Sequence, residues 1–166
     1  LGFAEENGVT GQVDPGPAPD AEGNHTEPAL PPLHQEAFDA LSRNDLPGAK
    51  AAYQKALAEA PADADAAAGL AQVELLERVY ALDADQVRQA AAEQPESMER
   101  ALEVADLDIS GGHVEDAFVR LLGLYSAASD EDKERLRERL LTYFTIVGQA
   151  APEVKKARAH LTSLMF

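Results

Sequence analysis

The chain has 166 residues, with 30 acidic and 14 basic side chains, a formal net charge of −16, and neither cysteine nor tryptophan. That length suits one domain with an appended arm. The charge argues against nucleic acid or an anionic membrane as the main partner, and the lack of cysteine excludes disulfides, thiol chemistry, Fe–S clusters and Cys-type zinc sites from this segment.

Leu1–Asn7 (LGFAEEN) is acidic where a targeting peptide would be basic, and no adequate apolar core follows it. No run reaches the ~18 apolar residues of a membrane helix. The start is not methionine, which fits excision from a longer chain. Residues 1–32 hold six prolines, five glycines, six acids and no Lys or Arg. This composition cannot bury enough apolar surface to fold alone and predicts a linker or arm.

From Leu33 onward the sequence is Ala-rich and helix-favouring, without alternating β-branched runs, so 33–166 is expected to be an all-α domain. Ala37, Ala71 and Ala105 recur every 34 residues, as do Leu46, Tyr80 and Val114, and Tyr53, Val87 and Leu121. Pro61 and Pro95 keep the interval, and Ala49 and Ala117 lie two intervals apart with Asp83 between them. A 34-residue helix–turn–helix period is the tetratricopeptide pattern, in which small residues let paired helices approach and a late proline ends the second. The predicted units are 30–63, 64–97 and 98–131. The first turns at Asn44-Asp45. The second has a good first helix, GLAQVELLERV, and a weak second one with Asp83 at a small-residue position. The third turns at Gly111-Gly112 and has Ser129 in place of the proline. Two terminal helices should cap this solenoid. The helix over 130–147 is capped by Ser129 or Asp130, closed by Gly148, and carries Leu136, Leu140, Tyr143, Phe144 and Val147 on one stripe. The helix over 152–166 starts at Pro152 and carries Val154, Ala157, Leu161 and Leu164.

The first helix of each unit should line a concave peptide groove. The register nominates His34, Phe38 and Leu41, then Gln72, Leu75 and Leu76, then Leu102, Asp106 and Ile109; the same side chains could instead pack between repeats. The Lys, Arg and Asn carboxylate clamp of some tetratricopeptide proteins is missing from these positions, so an apolar and acidic groove predicts hydrophobic or basic ligand segments. In the last helix, Leu161, Leu164, Met165 and Phe166 form either a cap or an amphipathic element taken by a partner.

Asp106-Leu-Asp-Ile-Ser-Gly111 is similar to the opening of an EF-hand loop, but Ala117 stands where the bidentate Glu belongs, which disfavours calcium. His25, His34, His113 and His160 are scattered, and no GxGxxG, P-loop, HExxH or GxSxG string occurs. No enzyme, metal or cofactor is predicted. Charge is uneven: residues 1–32 carry −6, 33–129 carry −11, and 130–166 carry +1.

The ordered stretches Phe38–Leu57, Gly69–Val79, Val104–Leu122, Arg135–Gly148 and Pro152–Phe166 resemble the C-terminal half of the bacterial thioredoxin-like tetratricopeptide proteins called YbbN or CnoX, the chaperedoxins. The resemblance covers nearly all of 33–166 and is carried mainly by the VG…P…AR…L…F ending. It implies a cytoplasmic co-chaperone holding unfolded clients, with chaperonin or DnaK-type chaperones as partners. It further implies that redox chemistry resides in a thioredoxin-like domain outside this segment, and that chaperonin is contacted through Pro152–Phe166. The alternative is a general scaffold or adaptor that captures a specific peptide in its concave groove.

Overall fold

Capping side chains and prolines set the helix boundaries. The computed structural model describes residues 28–166, so the expected arm and His25 lie outside the described residues as far as residue 27. Eight helices follow: α1 (Pro32–Ser42), α2 (Leu46–Glu59), α3 (Ala64–Tyr80), α4 (Ala84–Glu93), α5 (Met98–Ser110), α6 (Val114–Tyr125), α7 (Asp130–Val147) and α8 (Pro152–Met165). Asp45, Asp63, Asp83, Ser97 and Ser129 accept from the backbone N–H three residues on, each satisfying an orphan donor at a helix start. Proline occupies the first turn of α1, α2 and α8, where its missing N–H is harmless. Asn44 and Gly112 take positive φ in the turns between α1 and α2 and between α5 and α6. Gly148, at φ 108, ends α7.

The fold is an all-α stack of helix pairs. α1 packs on α2, α2 on α3, α3 on α5, α5 on α4 and α6, and α6 on both α7 and α8. The main core joins Leu75 of α3, Leu102 and Ile109 of α5, Phe118 and Leu121 of α6, and Leu136, Leu140, Tyr143 and Phe144 of α7. A smaller cluster joins Ala40, Ala49 and Val73, with Leu41, Leu46 and Tyr53 against it. Each fully buried leucine here contributes roughly 1.5–3 kcal/mol. Gly69 admits the Tyr53 ring, which a Cβ at that position would overlap.

The second unit departs from the 34-residue register. Leu46 and Val114 open α2 and α6, but their counterpart Tyr80 is the last residue of α3. α3 therefore overruns the expected turn by about one helical turn, roughly four residues. Asp83, which aligns with the small residues Ala49 and Ala117, becomes the N-cap of α4. α4 is left with 10 residues, and it packs on α5 and not closely on α3.

Candidate functional site

Phe38, Gln72 and Asp106 share one register position on α1, α3 and α5, where a groove is expected. Phe38 is 56% exposed. Gln72 is exposed too, whereas Asp106 is buried at 2%. The cause is α7, which lies against both α3 and α5 and covers the third position. Leu75, Leu102 and Ile109 are core residues packed with α7, so a partner cannot reach them. Leu76 and Leu41 are half-buried, Leu41 in the smaller cluster. The groove of the later units is thus filled by the chain's own helix, and of the nominated stripe Phe38 and Gln72 face solvent. Between α2, α3 and α7 an open hollow of about 310 Å³ remains, lined by Leu57, Leu70, Leu141 and Thr145 among others.

Asp106 is the centre of a buried polar hub and not a groove acid. Its Oδ2 accepts from Arg78 Nε and Arg139 Nη1, both at 2.8 Å, while Oδ1 accepts from Tyr143 Oη at 2.6 Å and Arg78 Nη2 at 3.1 Å. Arg78 sits in the extra turn of α3, so the overrun is what brings it to α5. Burial, and then the Asp106 carboxylate, push the Tyr143 hydroxyl far above the ordinary phenol range. Burial disfavours the Arg139 cation, but Asp106 and Tyr143 together more than compensate and hold it above the usual guanidinium value. Two residues on, Asp108 faces the opposite side of the helix toward α4 and α6 and accepts from Arg88 Nη2 at 2.9 Å. The two carboxylates of the EF-hand-like string therefore diverge, each committed to arginine. Among the described residues no group of three or more His, Asp or Glu is placed to hold a metal.

His34 Nε2 lies 2.7 Å from Asp63 Oδ2, and its ring meets Tyr53 edge-on at 6.0 Å. The Ala66 N–H, then His34, hold the Asp63 carboxyl below the usual carboxylate range. This nominated groove residue thus ties α1 to the start of α3. His113 and His160 are exposed. In α8, Leu161 is a core residue and Leu164 packs partly against the core, while Met165 and Phe166 are exposed. The last helix is a cap over α6 along its apolar stripe, with a free final turn. No helix among the described residues is long and apolar enough to cross a membrane.

Sequence reasoning missed the Arg78–Asp106–Arg139–Tyr143 hub and the cleft between α4 and α6 described below. Pairing across 28 to 37 residues leaves no trace in helix periodicity. Gly123, a poor helix former in the last turn of α6, was the one local signal of an opening there.

A tetratricopeptide repeat family model matches residues 77–166, just over half of the chain. Uncharacterized proteins of Mycobacterium bovis and Mycobacterium tuberculosis are 30% identical over 151 residues, covering 91% of this chain and 48% of their own length. The chain thus spans about half the length of the curated relatives it matches. No solved structure matches it.

Proposed function

The chain belongs to the tetratricopeptide repeat family, and we propose that it serves as a non-catalytic interaction module that captures a segment of another protein. The observation that carries this reading is the shared register position of Phe38 and Gln72. It stays open on α1 and α3 and is closed only where α7 crosses, so the unoccupied part of the groove lies at the first two units. Solenoids of this kind use such faces for peptides. The test is affinity capture followed by direct binding of the recovered partner. Phe38→Ala and Gln72→Trp should weaken capture while far-ultraviolet circular dichroism stays unchanged; equal capture by both would refute the groove reading. Leu75→Ala is unsuitable, because it would empty the core.

A second, finer reading is favoured by the exposed final turn, where Phe166 is fully accessible. In it the chain is the interaction half of a cytoplasmic thioredoxin-like co-chaperone that holds unfolded clients and engages chaperonin or a DnaK-type chaperone. The chaperedoxin resemblance and the bare Met165 and Phe166 support it. Pull-down with purified chaperonin should then distinguish the full chain from one ending at Leu164, which keeps the Leu161 cap contact. Identical binding by the two would reject a terminal-turn contact.

A further inference from the structure

We propose that the cleft between α4, α5 and α6 docks an acidic peptide segment, placing an apolar side chain over Gly123 and a carboxylate at Arg120. The proposal rests on the reading of the chain as a protein-capturing module, but it names a second face and a ligand of opposite charge to the one expected from the groove stripe.

The cleft exists because α3 overruns its turn. The shortened α4 leans on α5 instead of closing against α3, and α4 and α6 do not pack closely together. The space between them is about 480 Å³, with the small residues Ala91, Ala92, Ala101 and Gly123 in its lining. A Cβ added at Gly123 would meet nothing within 4 Å, so the opening extends to the α6 backbone.

Its charge opposes that of the chain as a whole. In a chain of net charge −16, the charged residues lining this cleft are Arg88 and Arg120. Arg88 is engaged by Asp108, a carboxylate 4% exposed beneath it. Arg120 Nε is 4.0 Å from the other oxygen of Asp108 and makes no hydrogen bond to any described residue. One buried carboxylate thus faces two guanidinium groups, leaving about one unit of positive charge and the donor fork of Arg120 for a ligand. Asp116, one helical turn before Arg120 on α6, is exposed; it does not line the cleft but shares an adjoining hollow with both arginines, and it makes no ion pair with either of them. Small residues next to a spare arginine suit an apolar side chain beside Asp or Glu. A basic segment would meet the arginines unfavourably.

The test pans a phage-displayed library of random dodecapeptides on the immobilised chain, then measures the enriched peptides by fluorescence anisotropy. The expected consensus pairs Asp or Glu with an apolar residue, and affinity should fall on adding salt. Arg120→Glu and Gly123→Leu should each weaken binding by about ten-fold or more, while Phe38→Ala leaves it unchanged. Gly123→Leu removes no packed group and Arg120→Glu leaves Asp108 its hydrogen bond from Arg88, so both variants should retain the wild-type circular dichroism. Enriched peptides that lack acids, or that bind Arg120→Glu and Gly123→Leu as well as wild type, overturn the cleft while sparing the module reading. Failure to enrich any peptide overturns both.

Discussion

Asp106 shows how one side chain can decide what a face of the protein is for. In the register it is the third member of a solvent-facing stripe; in the fold it accepts four hydrogen bonds from three side chains on α3 and α7. Asp106→Ala leaves the half-buried Arg139 and the fully buried Tyr143 phenol without their acceptor and should cost about 3 kcal/mol or more, measured by urea unfolding. Removing the exposed Arg135–Glu99 pair should cost below about 1 kcal/mol. Tyr143 also makes stability depend on alkali. Below pH ~10 its phenol is protonated whether folded or unfolded, and the Asp106 bond contributes in full. Above that pH the unfolded chain releases the proton while the folded one keeps it, so stability declines as pH rises, by up to about 1.4 kcal/mol per pH unit. Tyr143→Phe should flatten that part of the pH profile. A double-mutant cycle checks the Tyr53–Gly69 contact. Gly69→Ala should fail to stabilise the native protein yet stabilise Tyr53→Ala by about 1 kcal/mol, the helix-propensity gain once the ring is gone.

At the level of elements, the sequence was most legible where the signal is local. Asp45, Ser129, Gly112, Gly148 and Pro152 mark helix ends, and the structure uses each of them there. The apolar stripes of α7 and α8 were likewise readable from helical spacing. What spacing could not reveal is the extra turn of α3. Ala and Leu favour a helix equally well on either side of the expected stop, and Asp83 fits both a misplaced small-residue position and a cap. Nor could it reveal that α7 would enter the groove, because the stripe that buries α7 looks the same whether its target is the next repeat or an earlier one. The burial pattern on α7 gives a sharp contrast. Leu140→Ala should cost about 2–5 kcal/mol, whereas the neighbouring Leu141→Ala, at a partly exposed site, should cost under about 1 kcal/mol by thermal or urea unfolding.

Across the whole molecule, the uneven charge acquires a location. The acidic surplus sits on the repeats, yet those repeats also contain the arginine-lined cleft, while the near-neutral terminal pair supplies the hub's Arg139 and Tyr143. Arrays of repeats ordinarily touch only their neighbours, so each unit can open by itself and the array unzips from an end. α7 breaks that rule by leaning past α5 onto α3. Opening the second unit therefore strips α7 of part of its support, and losing α7 exposes the second and third units together. This part of the chain should behave as a single cooperative block: amide exchange in α3, α5 and α7 should share one opening free energy, while α1 exchanges separately and faster. A molecule built from repeats would then melt as an ordinary globular domain does, with its first unit able to loosen around a guest while the rest stays shut.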